Sequence, residues 1–359
     1  MGLIRLLLAF SVVIAHSTPI FGNRLIGGET SVRAFFIISG FYMALVLNEK
    51  YTQANSYKLF ITNRLLRLYP LYWVMLLLTI CLGFAASHFS NHHPILLRPY
   101  FNYHGSISVG SWIYLILTNI ALVGQDWIMF MGFNPTHGNF FFSEVRTDTW
   151  QFLVVPQSWS VGVEIVFYLI APFVVRKKSV YLLILIALSL LLRFILFKAG
   201  YSNDPWLYRF FPTELGFFLI GSLVYKFYFF LKSKAVSSIV NYGLLALLIA
   251  YTICYQSIPL AVFYKESLYY LLIAIATPVL FLFTKNNKWD NWIGELTYPV
   301  YMCHIFVFVV LGYLNKFTGI GNNYSGLVTV MGSVVCSIVL VKLIVEPIEK
   351  IRQRRVKNT

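Results

Sequence analysis

An arginine and a histidine, Arg5 and His16, stand eleven residues apart in GLIRLLLAFSVVIAHSTPIF, residues 2–21. The stretch is apolar enough to cross a bilayer, where ionisable side chains are costly and mark function by default. At roughly 100° per residue a helix brings both onto nearly one face, separated by about 16 Å of rise. Glu164 and Glu214 are the two of thirteen carboxylates well inside other apolar runs. In PQSWSVGVEIVFYLIAP, Ser160 precedes Glu164 by one turn on the same face. Glu164 is expected about 9 Å into the membrane, a depth similar to that of His16. A carboxylate that orients a histidine and supports its protonated form suits general-base catalysis on a hydroxyl. The alternative is a buried pair that only fastens two helices.

Other polar residues have plainer readings beside the functional one. Glu214 follows Arg209 in RFFPTELGFFLIG, so a pair between them, or with another cation, accounts for it. Arg64 and Arg67, in NRLLRLYPLYW, share a helix face at a membrane boundary, where two guanidiniums suit a phosphate-bearing ligand. Topogenic charge alone also explains them. In GELTYPVYMCH, Glu295 marks the inner boundary and His304 lies nearly 14 Å deeper, after Pro299 kinks or begins the helix. His304 either lines a cavity shared with His16 or is a satisfied interhelical histidine. Glu346, with Lys342 and Glu349, reads as a terminal ion pair.

The elements that carry these residues are membrane spans. Of 359 residues, 58% are hydrophobic, 18% aromatic and only 11% charged, with mean hydropathy +0.72. A soluble domain carries about 25% charged residues. Apolar runs predict an all-α polytopic bundle with spans near 3–21, 31–48, 69–88, 159–175, 179–198, 209–230, 238–256, 267–284, 296–315 and 325–346. The net charge of +15 lies mostly in short inter-span segments and the tail, which reads as positive-inside topology and not as a nucleic-acid surface. With the clusters at Lys50 to Arg67, Arg176 to Lys178, Lys232 and Lys234, Lys285 and Lys288, and the tail all on the cytoplasmic side, both termini are inside. The extra apolar segment 111–130 then makes no net crossing and is re-entrant or interfacial, or is paired with a second hidden crossing before Trp159. Residues 1–352 form one transmembrane domain and 353–359 a basic cytoplasmic tail.

The region from about 89 to 157 faces outward and holds His88, His92, His93, Arg98, His104, Asp126, His137, Glu144, Arg146 and Asp148. A loop this long is uncommon unless functional; it either meets an external acceptor or caps the bundle. Cys81, Cys254, Cys303 and Cys336 have no metal-ligand spacing and read as free thiols. Val13 and Ala15 fit a signal-peptidase pattern, but cleavage would discard Arg5, so an uncleaved first helix is expected.

Taken in order, these segments resemble the acyltransferase 3 family of integral membrane proteins over residues 3–352. Arg5 and His16 match its arginine, ten residues, histidine motif; FFIISGF, NRLLRLYPLYW, SWSVGVEIVFYLIAP, RFFPTELGFFLIG, GELTYPVYMCH and Glu346-Pro347 follow. Arg33 stands where many members have an acidic residue, and the hydrolase-like domain fused to some members is not expected. The resemblance implies acyl transfer, most often of acetyl, from cytoplasmic acyl-coenzyme A to a carbohydrate at or beyond the outer face. Arg5, Arg64 and Arg67 are then expected to bind the coenzyme, and His16 and Glu164 to be catalytic. Trp159, Ser160, Tyr298 and His304 are expected to contact substrate. The expected protein is a bacterial inner-membrane O-acetyltransferase with acetyl-CoA as donor substrate, no bound cofactor or metal, and a polysaccharide or lipid-linked glycan such as lipopolysaccharide O-antigen as acceptor. A transporter or flippase of a sugar-linked lipid or anionic solute is the competing expectation, although no paired inverted halves are apparent. A membrane scaffold is a third; it has no need of His16 and Glu164.

Overall fold

The computed structural model describes residues 1–53, 56–89, 95–143, 148–234, 236–318 and 325–357. His92, His93, Glu144 and Arg146 lie outside them. The order is α1 (Gly2–Ala15), α2 (Gly28–Glu49), α3 (Ser56–Phe89), α4 (Arg98–Tyr103), α5 (Val109–Ala121), a hairpin of β1 (Met131–Asn134) and β2 (Asn139–Phe142), α6 (Trp159–Val174), α7 (Ser179–Lys198), α8 (Phe211–Leu231), α9 (Ser238–Cys254), α10 (Val262–Thr284), α11 (Lys288–Thr318), α12 (Ser325–Leu340) and α13 (Glu346–Lys357). The antiparallel hairpin, Met131 opposite Phe142, is the single sheet among the described residues. Nine of the described helical segments are long and apolar enough to span a membrane, and α1 and α5 are shorter apolar helices. The architecture is an all-α polytopic bundle. Large apolar side chains on α7, such as Leu183, Leu188 and Phe194, are exposed, as a hydrocarbon environment demands.

Three spans differ in length from the sequence expectation. The first stops at Ala15, with His16 as its cap. Pro19 disfavours a helical residue before it and has no N–H to continue the ladder. By contrast α3 starts thirteen residues before the expected span and runs through Arg64, Arg67 and Pro70. Likewise α11 begins at Lys288, so Pro299 lies inside it.

The basic segments gather at one end. Arg176 Nη2 donates to the Leu47 carbonyl at 2.7 Å, Lys232 pairs with Glu49 at 3.3 Å, and Arg352 Nε donates to the Asn63 carbonyl at 2.9 Å. At the opposite end Gly326 N–H donates to Thr18 Oγ1 at 2.8 Å, and Asn23 donates to the Ile253 carbonyl at 2.7 Å. Between them α2 and α8 touch backbone to backbone. A Cβ on Gly40 would lie 1.8 Å from the Phe218 carbonyl oxygen, and one on Gly221 1.8 Å from that of Ile37, so only glycine permits the contact.

The additional apolar segment dips in and returns. Ser108, which caps α5, takes the Gly138 carbonyl of the hairpin turn at 3.0 Å. The other end of α5 meets the middle of α3, where Trp73 Nε1 donates to the Ile120 carbonyl at 3.0 Å and the Tyr69 and Tyr72 hydroxyls donate to those of Ala121 and Asn119. The chain then turns and climbs back through a 3₁₀ turn, Asp126–Phe130, to the hairpin. The turn rests on Gly162 of α6, where a Cβ would lie 2.5 Å from the Leu122 carbonyl oxygen.

Candidate functional site

Helices α1, α2, α3, α6 and α11 surround a cavity of about 250 Å³. Arg5 and Arg67 line it toward the basic end, Glu164 and Ser39 line it further on, and Ser160 and Tyr301 line its other part. Arg5 sits with its guanidinium 5.8 Å from the centre of the Tyr42 ring, and its charge acts on Glu164. Glu164 accepts hydrogen bonds from Ser39 Oγ and, at 2.6 Å, from the Tyr168 hydroxyl. Two hydroxyl donors and a nearby guanidinium hold the carboxylate in the cavity wall.

The arginines of α3 are not equivalent. Arg67 is exposed at the cavity mouth. Arg64 is buried, lies 5.8 Å from the centre of the Phe60 ring, and its Nε has no hydrogen-bond partner. Tyr298 lines the cavity and donates to the Leu68 carbonyl at 2.9 Å, joining α11 to the helix of the two arginines.

His16 and His304 meet ring to ring, neither lines the cavity, and Glu164 is not the group at the His16 ring. The two imidazoles have centroids 5.1 Å apart, with His304 Nε2 3.4 Å from His16 Nδ1. Carbonyl contacts fix both tautomers, because a carbonyl only accepts. His16 Nδ1 lies 2.9 Å from the Val12 carbonyl and His304 Nδ1 2.7 Å from that of Tyr301. Each Nδ1 therefore carries hydrogen, and His304 Nε2 is an acceptor toward His16. His16 Nε2 is left with its lone pair, on a side chain that is exposed while His304 is fully buried. The expected match in depth fails because α6 is preceded by a turn, Pro156–Ser158, in which Gln157 and Ser158 are buried. Glu164 lines the cavity together with Arg5, and His16 does not.

Ser160 and Tyr301 connect the two regions. Their hydroxyls are 2.6 Å apart, and that of Tyr301 also donates to the Gln157 carbonyl at 3.0 Å. The Tyr301 ring is 5.9 Å from His304 and 6.4 Å from Phe35. Trp159 does not line the cavity: it is 5% exposed, with Arg209 stacked on it at 4.3 Å. Arg209 pairs with Asp204, not Glu214. Glu214 is bound by Arg33 at 3.4 Å and Arg193 at 3.0 Å. Arg33 also pairs with Glu29 and Glu266, so it serves as the buried counter-charge of α2, α8 and α10. At the basic end Glu349 pairs with Arg352.

Ser39, Tyr42, Tyr168 and Tyr301 escaped the sequence reading. Each lies one turn from another polar residue of the site or of its own helix: Ser39 from Tyr42, Tyr168 from Glu164, Tyr301 from His304. That periodicity was the available signal.

No curated protein and no solved structure matches the chain. The family model of the acyltransferase 3 acyltransferase domain matches residues 1–342, nearly the whole chain, which is therefore a multi-pass membrane acyltransferase of that family.

Proposed function

We propose that the protein moves an acetyl group from cytoplasmic acetyl-CoA to a hydroxyl of an extracytoplasmic polysaccharide, with lipopolysaccharide O-antigen as the first acceptor to test. The observation that carries this reading is the polarity of the site along the bundle. Cations flank the cavity at the basic end, and an imidazole with a free Nε2 is exposed toward the other. Coenzyme A is a polyanion, and guanidiniums bind its phosphates bidentately; Arg67, exposed at the mouth, and Arg5, inside, suit that end.

The pantetheine arm occupies the cavity and brings the thioester past Ser160 and Tyr301 toward His16. The acceptor hydroxyl gives its proton to His16 Nε2 as its oxygen attacks the thioester carbon. The new C–O bond forms, the C–S bond breaks, and the coenzyme A thiolate leaves with the proton returned by His16. Glu164 faces Arg5 and acts on the donor side, orienting the cation through charge. Both termini then lie in the cytoplasm of a bacterial inner membrane.

The test compares surface glycans, by mass and proton resonance, from cells with the gene, without it, and with His16→Ala. Loss of acetyl in the last two supports the proposal. Unchanged acyl content without the gene refutes it and favours transport of a sugar-linked lipid.

A further inference from the structure

At the turn that precedes α6, outside the cavity, two largely buried side chains of opposite charge each leave one polar atom unused. Arg209 is 12% exposed and fully oriented. Its Nε and Nη2 donate to the two Asp204 oxygens at 2.6 and 3.0 Å, its face lies 4.3 Å from the Trp159 ring centre, and Nη1 has no partner. Asp126, 4% exposed, sits on the returning limb of the re-entrant segment, and its Oδ1 has no partner. Gln125, the residue before Asp126, accepts from Ser158 Oγ at 2.6 Å, Gln157 and Trp159 flank that serine, and Arg209 stacks on Trp159, so Asp126, Gln157 and Arg209 meet at the turn before α6; Ser160, Tyr301 and His304 lead from there to His16. Gln157, 4% exposed, adds an unpaired Oε1 while its Nε2 donates to the Met302 carbonyl at 2.6 Å.

Buried polar atoms left unpaired cost free energy, and native structures hold few of them without a ligand or functional reason. Here the orphaned atoms are one N–H donor and two oxygen acceptors. A carboxylate or phosphate satisfies the donor but is repelled by Asp126. A cation satisfies Asp126 but is repelled by Arg209. A hydroxyl donates and accepts at once, so a neutral polyol fits both. The surrounding rings, with Trp159 4.9 Å from Tyr208 and Phe130 5.0 Å from Trp206, exclude water and strengthen such bonds.

We propose that Asp126, Arg209 and Gln157 form a subsite for a sugar ring of the acceptor, in which adjacent hydroxyls bridge the Arg209 Nη1–H and the two free oxygens and a further hydroxyl is presented to His16. This rests on the glycan acceptor proposed above. Arg209 and Asp126 thereby bind substrate without taking part in proton transfer. The re-entrant segment acquires a purpose, since it carries Asp126 into the bundle.

The experiment uses the full chain in detergent and two probes, acetyl-CoA and unacylated surface polysaccharide from cells lacking the gene, each titrated calorimetrically. Asp126→Asn preserves shape and removes charge; Arg209→Lys preserves charge and removes Nη1. Each is expected to weaken polysaccharide binding tenfold or more while the Kd for acetyl-CoA stays within twofold. Unchanged polysaccharide affinity in both variants, equal weakening of both ligands, or no polysaccharide binding by the unaltered protein overturns the subsite. A gene-dependent change in glycan acetyl content alongside unchanged binding removes the subsite and leaves acyl transfer standing. Variant-sensitive binding with no such change retains the subsite and removes acyl transfer.

Discussion

Two histidines in contact invite the question of which is the base, and the geometry predicts unequal penalties. His304→Asn keeps a donor in place of Nδ1 for the Tyr301 carbonyl and deletes the Nε2 acceptor that faces His16. The deleted contact is long, 3.4 Å, and His16 Nδ1 keeps its 2.9 Å bond to the Val12 carbonyl. The tautomer of His16 therefore survives, and the loss is the net worth of one weak hydrogen bond, about 0.5–1.5 kcal/mol, or roughly twofold to tenfold in kcat. His16→Gln removes the base itself, which is worth about 10² to 10⁴ in rate. The assay is acceptor-dependent release of coenzyme A by protein in nanodiscs, with folding checked by size exclusion. If His304→Asn is as inactive as His16→Gln in folded protein, the base is His304 and the assignment of lone pairs is refuted.

Removing the exposed Arg67 as Arg67→Ala should raise the KM for acetyl-CoA about tenfold or more, the loss of a charge-assisted bond, with little change in Tm; an unaltered KM removes it from the donor site. Glu214→Ala strips the buried Arg33 and the half-buried Arg193 of a shared carboxylate, at about 3–5 kcal/mol, so the melting point should fall, and by more than in the double variant Arg33→Met, Glu214→Met. A cysteine at Asn139, exposed in the hairpin, should react with an impermeant maleimide in intact spheroplasts; protection would reverse the topology.

Much of this bundle is legible in its sequence, and the failures have a common physical source. Charge parity alone required residues 111–130 to make no net crossing, and α5 indeed enters and returns at one end. The expected meeting of His16 and Glu164 failed because helix ends were read from hydropathy. Hydropathy does not register that Pro19 ends α1 at Ala15, or that Gln157 and Ser158 are buried although they lie in a turn. Each misplaced end slides a side chain by 1.5 Å per residue, enough to exchange His304 for Glu164 as a partner. The contact of Arg33 with Glu214, 181 positions away, left no local trace at all. Glu29 at one turn's distance was the partner that sequence alone could show.

The shallow excursion of α5 has a consequence for how the chain is made. Thirteen residues of helix reach about 20 Å, short of the hydrocarbon thickness of about 30 Å, so the segment does not span the bilayer by itself. The chain enters and leaves this segment at one end of the bundle, with Ser108 bonded to Gly138, so it is seated from that end. Its seat consists of Tyr69, Tyr72 and Trp73 on an earlier helix and Gly162 on a later one. Docking of this segment therefore waits for synthesis of α6, and Asp126 takes its place in the bundle only when that step is complete.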